Sequence, residues 1–585
     1  MSRNKSQINE EKPLAAYLVK TKRALKFAFL FSFAVNFLML SMSLYSLQVL
    51  DRVISSHSLE TLFLLTSLVF LMLIVMGIFF GLRATLLHNI TDWLDIEVGP
   101  ELLRDAVAKS SLGMFVSAAQ HQRDLSAIKG FISGGAVATA LDAPWSILFM
   151  IVIYMISPVF GFITVLGLIL LVGFGLLNEF ATKKPFQSAG EGQILANQMA
   201  DSASRNAEAV EAMGMMRYVS TRWQKLQDSA AKHLDMAQGR ANVIQSISKV
   251  IRMILQISVT GSGAFLVIHN ELTVGGMIAG SILVGRALGP FEGMIGMYKS
   301  WINTRDSYNR LNGALAKGKA LERGTMEMLV PEGRLSVENL IFSPVPGMAP
   351  IIRGVSFVLH PGESLGIIGP SAAGKSTLGK LIIGLLPPTH GAARLDGADT
   401  FKWNRENFGK FAGYMPQSVE LFTGTIRDNI ARLDPDATDE EVIHAAQMAG
   451  AHDMILRLPK GYETVYQSGQ HALSPGQRQR VALARALFRS PKFVVLDEPN
   501  TNLDGEGERA LVETLKRMKQ AGMTFVLVAH RPTLVAAVDK LLVLKAGTIE
   551  RFGPRDDILK IYTQQGVPKV PGVRGAEQQQ EGAAL

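Results

Sequence analysis

The sequence predicts a chain of two parts: an α-helical membrane domain with six spans, followed by an α/β domain that binds a nucleoside triphosphate. The chain has 585 residues, of which 48% are apolar, and the apolar residues are concentrated in the first 300 positions. The second half is more polar and contains a glycine-rich phosphate loop at residues 369–376, directly after an apolar segment. This length is sufficient for two or three domains.

Six apolar runs in the first half are long enough to cross a bilayer as helices. The first run, residues 27–49, has 23 residues and no charge, which is too long for a signal-peptide core, so we expect a retained helix. Ser157-Pro158 divides a long uncharged stretch into a helical hairpin. The predicted spans are residues 27–49, 61–82, 134–156, 159–180, 250–268 and 273–298.

The distribution of basic residues predicts how the spans are oriented. The predicted outer loops contain a single basic residue, Arg52. These loops are residues 51–58, 157–158 and 269–271. The predicted inner segments, residues 83–133 and 183–249, contain many basic residues, of which Arg83 is the first. Because basic residues are enriched on the cytoplasmic side, we expect both termini to be cytoplasmic, with residues 1–26 as an N-terminal arm.

Composition excludes several classes of protein. The chain has no cysteine, which excludes a disulfide framework, a cysteine-ligated metal site and a thiol nucleophile. The formal net charge is +9, but nucleic-acid binding would need those charges on one face of a soluble domain. Several basic residues, such as Lys22 and Lys26, flank an apolar run instead, so no nucleic-acid partner is predicted.

The phosphate loop predicts a site for a nucleoside triphosphate and Mg²⁺. Its glycines let backbone N–H groups surround the phosphates, Lys375 reaches the outer phosphates, and the Ser376 hydroxyl is placed on Mg²⁺. The predicted binding residues of this loop are Gly369, Pro370, Ser371, Ala372, Ala373, Gly374, Lys375, Ser376 and Thr377.

Residues 493–497 are predicted to form an apolar strand that ends in an acid, Asp497. A second acid, Glu498, follows directly. Neighbouring residues of a strand point to opposite sides, so one acid can face Mg²⁺ and the other the outer phosphate. We expect Asp497 to organise Mg²⁺ and Glu498 to polarise the attacking water. Phosphoryl transfer needs mainly positioning and charge neutralisation, which these groups supply.

The segment Leu473-Ser474-Pro475-Gly476-Gln477 predicts the start of a helix that faces a phosphate. Ser474 suits the N-cap, Pro475 suits the first helical position, and Gln477 completes a capping box. The positive end of the helix dipole favours an anion. The segment resembles the signature sequence of the ATP-binding cassette (ABC) ATPases, which covers the ATP held by a partner cassette.

Other segments resemble ABC cassette elements in the same order, over about residues 333–565. Gln417 resembles the glutamine that touches Mg²⁺, and His530 resembles the switch histidine that positions the γ-phosphate. Asn502 and Asp504 resemble the loop that crosses the dimer interface. The resemblance implies ATP hydrolysis, with Glu498 and His530 as catalytic residues. It also implies that Ser474, Gly476 and Gln477 contact the ATP of the other subunit.

Two positions depart from the ABC pattern. Pro475 stands where the family usually has glycine, and proline removes one backbone N–H. Pro344 stands where many ABC exporters have a tyrosine that stacks on adenine. We therefore expect adenine stacking to be weak or to be supplied by another residue.

The membrane half narrows the resemblance to type I secretion ATPases. Leu141-Asp142-Ala143-Pro144-Trp145 resembles the Asp-x-Pro-Trp segment at the start of their third span, and residues 498–504 resemble the alkaline-protease and lipase exporter branch. The alternative is that Pro144 only kinks a helix and Trp145 lies in an aromatic belt. The ABC exporter fold implies that the spans continue into the cytoplasm, with turns near residues 113–117 and 213–220.

The resemblance implies a half-transporter that works as a homodimer in a bacterial inner membrane, with its ATPase domain in the cytoplasm. Its cargo would be an unfolded polypeptide with an uncleaved C-terminal signal, and its partners a periplasmic adaptor and an outer-membrane channel. One alternative is a lipid or drug flippase. Another is a soluble ABC ATPase, which the apolar spans make untenable.

The sixth predicted span contains two charges, Arg286 and Glu292. An arginine that faces lipid at this depth would be costly, so both residues are candidates for the transport pathway. The alternative is that the Arg286 side chain extends to the inner headgroups. The domain organisation predicted from all these features is an arm (1–26), a transmembrane domain (27–320), a nucleotide-binding domain (333–565) and a disordered tail (566–585).

Overall fold

The N-terminal unit is helical throughout the part that the structure describes. The computed structural model describes residues 13–113, 118–319, 324, 327–345, 347–467, 473–529 and 531–564. These residues form two compact units, one within Met1–Leu321 and the other within Glu322–Leu585. Residues 1–12 of the predicted arm and the whole predicted tail lie outside the described residues, so the disorder of the tail stays a prediction.

Helices in the N-terminal unit range from one turn to 53 residues. In chain order they are α1 (Pro13–Lys20), α2 (Lys22–Gln48), a π-helical turn (Val49–Val53), α3 (Ile54–Ser56), α4 (Leu59–Ser111), α5 (Ala118–Ser133), α6 (Ala136–Asp142), a 3₁₀ turn (Ala143–Trp145), α7 (Ser146–Ile156), α8 (Pro158–Arg205), α9 (Ala207–Ala212), α10 (Met216–Ile268), α11 (Val274–Gly296) and α12 (Tyr298–Lys319).

Six helical stretches of this unit are long and apolar enough to cross a membrane. They are Lys22–Ser56, Leu59–Ser111, Ala118–Ile156, Pro158–Arg205, Met216–Ile268 and Val274–Gly296. The two stretches of 53 residues are ~80 Å long, far more than the ~30 Å that a bilayer core requires. The inner segments are therefore helical continuations of the spans rather than loops.

The turns of the inner segments are only partly described. Residues 114–117 of the first predicted turn lie outside the described residues. In the second, the chain turns at residues 213–215, and the predicted turn residues 216–220 already belong to α10. The predicted arm contains a helix, α1, in which Leu14 is buried beside Leu311 and Leu315.

The membrane core is closed by small residues on α11. Gly280 lies so close to Phe160 that a Cβ atom would be 2.6 Å from the ring. A Cβ on Gly263 of α10 would lie 2.6 Å from Met277. Small residues allow such close approach of membrane helices, which associate mainly through packing. Leu283 and Leu288 of α11 are fully buried in this core.

The third span, predicted at residues 134–156, is interrupted at two places. The chain leaves helical geometry at Gly135, where φ is +85°, and again at the 3₁₀ turn Ala143–Trp145. A Cβ on Gly134 would lie 2.4 Å from the Gly130 carbonyl oxygen, so the first break requires glycine. At the second break Pro144 lacks the N–H that a continuous helix needs.

The C-terminal unit combines strands and helices. Its strands are β1 (Leu335–Phe342), β2 (Ile352–Leu359), β3 (Ser364–Ile368), β4 (His390–Leu395), β5 (Ala398–Asp399), β6 (Ala412–Met415), β7 (Gly424–Thr425), β8 (Val465–Tyr466), β9 (Phe493–Asp497), β10 (Thr524–Val528), β11 (Lys540–Lys545) and β12 (Thr548–Pro554). Its helices are α13 (Lys375–Ile382), α14 (Arg405–Phe411), α15 (Ile426–Ile430), α16 (Asp439–Met448), α17 (His452–Leu456), α18 (Pro475–Leu487), α19 (Gly505–Gln520), α20 (Pro532–Val535) and α21 (Arg555–Gln564), with a 3₁₀ turn at Gly461–Glu463.

A six-stranded sheet of order β12-β11-β3-β10-β9-β6 forms the centre of this unit. Strands β11, β3, β10, β9 and β6 are parallel, and only β12 runs antiparallel. Strands β3, β9 and β10 are buried at every residue, which explains their continuous apolar sequences. Because β10 lies between β3 and β9, the segments that follow these three strands meet at one edge of the sheet.

Candidate nucleotide-binding site

The phosphate loop connects β3 to α13 in a backbone conformation that depends on glycine. Gly369 has φ +152°, and a Cβ there would lie 2.1 Å from the Leu544 carbonyl oxygen. Gly374 has φ +99° and is the N-cap of α13. The loop thus ends at the start of a helix, where free N–H groups and the helix dipole favour a phosphate.

Lys375 is held inside this loop. Its side chain is buried, and its Nζ donates to the carbonyl oxygens of Gly369 at 3.0 Å and Pro370 at 2.9 Å. Burial lowers the pKa of the Lys375 ammonium, while the carboxylates of Glu498 and Asp497 oppose this shift. The ammonium is therefore placed at the loop that would surround the phosphates.

Ser376 and Asp497 lie in contact, which joins the phosphate loop to the end of β9. The Ser376 hydroxyl donates to Asp497 Oδ1 at 3.0 Å. Burial raises the pKa of the Asp497 carboxyl, the hydrogen bond from Ser376 lowers it, and the neighbouring Glu498 raises it further. A hydroxyl and a buried carboxylate are oxygen ligands of the kind that Mg²⁺ prefers. The donor set therefore fits this ion.

Glu498 directly follows the last residue of β9, Asp497, and leaves the extended conformation of the strand. Its φ is +50°, and its N–H donates to the carbonyl oxygen of Val528 at the end of β10. Gln417 Nε2 donates to Glu498 Oε2 at 2.9 Å. A positive φ at a non-glycine residue costs on the order of 1–3 kcal/mol and is found most often at functional sites.

The signature segment has the predicted capping box. The Ser474 Oγ accepts from the Gln477 N–H at 3.2 Å, and Gln477 Oε1 accepts from the Ser474 N–H at 2.8 Å. Pro475 is the first helical residue of α18, so this prediction is confirmed. Within the described part of the chain, Gln477 is the only side-chain hydrogen-bonding partner of Ser474.

Gly476 and the Asn502–Asp504 loop form one surface. A Cβ on Gly476 would lie 3.0 Å from the Asn502 carbonyl oxygen. The Asn502 N–H donates to Gln479 Oε1 at 3.1 Å, and Asp504 caps α19 by accepting from the Gly507 N–H at 2.7 Å. The role of Gln479 was not predicted from the sequence. Its signal was a glutamine on the buried face of α18, a position otherwise occupied by apolar residues.

Two further positions of the site were predicted from the sequence, the switch histidine His530 and the adenine-stacking position Pro344. His530 lies outside the described residues. The Pro344 position is exposed, and the sequence from Ser343 to Arg353 contains no aromatic residue. Ile351 lies against the phosphate loop, since a Cβ on Gly374 would be 3.3 Å from its side chain. An aliphatic side chain, rather than an aromatic ring, therefore lies at this side of the loop.

The two charges of the sixth span differ in their surroundings. Glu292 forms an ion pair with Arg252 of α10. Arg286 is exposed, and within the described residues it has no ion-pair partner. The structure thus separates the two pathway candidates into one paired residue and one unpaired residue.

Comparison with known proteins decides the family. A model of the ABC transporter family matches residues 352–501. The chain is 39% identical over 532 residues to the type I secretion system ATP-binding protein PrsD of Rhizobium meliloti (strain 1021), which covers 90% of both chains. This chain belongs to the type I secretion ABC transporters. It is also 29% identical to the leukotoxin translocation ATP-binding protein LktB of Bibersteinia trehalosi, over 88% of this chain and 73% of that protein.

The fold of this type I secretion ABC transporter is also found in a solved structure. A bacterial Atm1-family ABC exporter with ATP bound superposes with a TM-score of 0.79 at 20% identity, covering 94% of this chain and 99% of that one. The predicted fold, a six-span α-helical membrane domain of the ABC exporter type followed by an α/β ABC ATPase domain, is confirmed. The protein is a multi-pass membrane protein with an ATPase that drives protein export, and a flippase function is not favoured.

Proposed function

We propose that two copies of this chain form the inner-membrane pump of a type I secretion system, and that each copy completes the ATP site of the other. The observation that carries this proposal concerns Ser474, at the start of the signature helix. Ser474 hydrogen-bonds with Gln477 alone among described side chains, so no such bond links it to the phosphate loop of its own chain. With one phosphate loop and one signature per chain, a second copy is the simplest source of the missing half.

The phosphate loop and Asp497 would hold Mg²⁺–ATP. Residues 369–377 would surround the phosphates with N–H groups, and the Lys375 ammonium would exchange its two carbonyl partners for phosphate oxygens. Ser376, Asp497 and Gln417 would hold Mg²⁺, which when bound neutralises charge on the phosphates. Ser474, Gly476 and Gln477 of the other copy would cover the outer phosphate.

Glu498 would polarise the attacking water. It lies next to the Mg²⁺ residue Asp497, and Gln417 holds its carboxylate through the 2.9 Å hydrogen bond. Gln417 would also contact Mg²⁺. It would therefore link the position of the ion to the position of the Glu498 carboxylate. By resemblance, His530 would position the outer phosphate, while Asn502 and Asp504 would meet the partner subunit at the dimer interface.

The membrane orientation follows from the basic residues. Arg52 is the only lysine or arginine in the predicted outer loops, whereas the helical continuations of the spans contain many basic residues. We infer a bacterial inner membrane, with both termini and the ATPase domain in the cytoplasm. Membrane lipid is then a constant partner, and no nucleic acid takes part.

The cargo is inferred to be an unfolded polypeptide with a C-terminal signal. Protein export is the function of this family, and the two relatives are a type I secretion system ATP-binding protein and a leukotoxin translocation ATP-binding protein. A periplasmic adaptor and an outer-membrane channel would continue the conduit to the exterior. These partners follow from the family resemblance of the Asp142–Trp145 segment and residues 498–504.

Arg286 and Glu292 are proposed to lie along the pathway. Counted from Thr273, Arg286 is ~20 Å along the span, past the middle of a ~30 Å core. It is exposed in a single chain, and facing lipid at that depth would be costly. Glu292 is neutralised by Arg252, so Arg286 supplies the unpaired charge of this surface.

Replacing Glu498 with glutamine should abolish turnover and preserve ATP binding. Glutamine keeps the size of the side chain but removes the negative charge that polarises water. We expect kcat of the purified transporter to fall at least about 100-fold, the range for loss of a positioned base. Glu506→Gln, at an exposed position in the first turn of α19, is the matched control and should retain native kcat. Native turnover in Glu498→Gln would assign the water to another residue.

Polypeptide cargo should change the ATPase rate, and lipids should not. The measurement uses the transporter in nanodiscs with C-terminal fragments of candidate secreted proteins, against a panel of lipids and small hydrophobic compounds. In cells, secretion of the same proteins should require the adaptor. Insensitivity to every polypeptide together with adaptor-independent lipid movement would contradict the proposed cargo.

Replacing Arg286 with alanine should reduce export of cargo while leaving ATP binding intact, because the charge lies far from the phosphate loop in sequence and in a different unit. Secretion in cells and cargo-stimulated ATPase activity measure the effect. The control is Lys249→Ala, which removes an exposed basic residue of a different helix, α10. If Arg286→Ala exports normally, Arg286 reaches the headgroups and lies outside the pathway.

A further inference from the structure

A buried polar cluster joins the first three spans at the Asp-x-Pro-Trp segment. The Arg83 guanidinium donates from Nη1 to Asp142 Oδ1 at 2.6 Å and to Ser32 Oγ at 2.9 Å. Asn36 Nδ2 donates to Asp142 Oδ1 at 2.9 Å and to the Ser32 carbonyl oxygen at 2.8 Å. Arg83 is only 6% exposed. Arg83, the first basic residue of the predicted inner segment 83–133, thus lies within a helix and is buried.

This cluster holds a helix that is separated from its neighbours on both sides. Helix α6 has seven residues, with the Gly134–Gly135 break before it and the 3₁₀ turn Ala143–Trp145 after it. Asp142 ends α6 and binds Arg83 and Asn36. Trp145 lies between the rings of Phe29 and Phe33, with ring centroids 4.7 and 4.8 Å away. The direction of α6 is thus fixed by contacts with α2 and α4.

Helix α6 packs against one core and leads through the 3₁₀ turn into a second. Its Leu141 packs against the core that contains α4, α5 and α12. On its N-terminal side, Leu125 and Ile128 of α5 pack with α4 and α12. Asp124 of α5 binds Arg310 of α12 through two hydrogen bonds of 3.0 and 2.6 Å. On its C-terminal side, Phe149 and Ile153 of α7 pack in the membrane core. Since α12 precedes the ATPase domain in the chain, α6 connects the core nearest that domain in sequence to the membrane core.

The charges of the cluster are not needed for packing alone. A buried ion pair seldom stabilises a protein more than well-packed apolar residues would, because both charges lose their hydration. Ionisable residues within membrane spans are usually functional. Arg83 is also the first buried residue of α4, at the point where α4 enters the core it shares with α5. We therefore infer that the Arg83–Asp142 ion pair sets the direction of α6 between the core that contains α12 and the membrane core.

We propose that Arg83 and Asp142 are positioning residues for export: they set the angle of α6 and thereby couple the core containing α12 to the membrane core. During the ATP cycle the third span bends at Gly134–Gly135, and the Arg83–Asp142 pair transmits the bend to the spans. The inference rests on the proposed coupling of cargo to ATP hydrolysis, but its structural part can be measured without cargo.

The structural part is tested by a distance across the bend. The chain has no cysteine, so Ser126→Cys on α5 and Ala140→Cys on α6 can carry spin labels without other changes. Labelled chains are diluted with unlabelled chains, so that only distances within one chain are measured. We expect the mean distance to differ by about 3–5 Å between the nucleotide-free and the vanadate-trapped states. An identical distance in both states would overturn the proposal whatever the cargo.

The coupling is tested by replacing the pair with apolar residues. Arg83→Met with Asp142→Leu should fold and hydrolyse ATP at the basal rate, but cargo stimulation should fall about tenfold and the distance change should disappear. Arg83→Lys, which keeps the charge, should recover part of both. The control is Lys20→Met with Glu97→Leu, an exposed ion pair that also involves α4. If the apolar pair exports and responds to cargo as the native protein does, the cluster only stabilises the fold.

If the doubly substituted chain does not fold, Asp142→Asn decides the question. It preserves the volume of the side chain and removes only the negative charge that pairs with Arg83. Reduced cargo stimulation at native thermal stability and native basal ATPase activity would support the positioning role. Native stimulation in Asp142→Asn, with a native distance change, would overturn it.

Discussion

The hydrogen bond between Ser376 and Asp497 is the contact that holds the proposed ATP site together within one chain. It joins the phosphate loop after β3 to the acid at the end of β9, although the two residues are 121 positions apart in the chain. The contact exists because β10 pairs with both strands in parallel register and brings their carboxyl ends to one edge. The phosphate loop, Asp497 and Glu498 are all placed by this edge.

Two charged side chains, Lys375 and Asp497, are buried at this edge of the sheet. Lys375 and Asp497 are both withdrawn from water, and burial shifts the pKa of each toward its neutral form. Their mutual proximity and the neighbouring Glu498 partly offset the shift for Lys375. A triphosphate with Mg²⁺ would supply the opposite charges that the site lacks.

The membrane unit also contains buried charge, and there it is neutralised by an ion pair within the chain. Arg83 and Asp142 neutralise each other where three spans meet, and Asn36 and Ser32 complete their hydrogen bonds. The breaks on both sides of α6 leave its direction to these contacts rather than to a continuous helix. Polar groups in this unit thus specify geometry, while the glycines of α11 and their apolar neighbours supply the packing.

The sequence predicted those features that local chemistry determines. The phosphate loop, the adjacent acids and the capping box at Ser474 each require particular residues at fixed spacing, and the structure has them as expected. The breaks of the third span, the burial of Arg83 and the hold of Gln479 on Asn502 depend on partners distant in the chain. No local pattern distinguishes a buried arginine from a cytoplasmic flank, so these features required the structure.

The central claim, that each ATP site is shared between two copies, is tested most directly by disulfide crosslinking in this cysteine-free chain. One population carries Ser371→Cys in the phosphate loop, and a second carries Ser474→Cys at the signature helix. Both also carry Glu498→Gln, which is expected to hold ATP. The account predicts that mixing the populations with ATP gives a crosslinked species of twice the 63.6 kDa chain mass. No crosslink between the two populations, while a chain that carries both Ser371→Cys and Ser474→Cys forms a disulfide within itself, would contradict it.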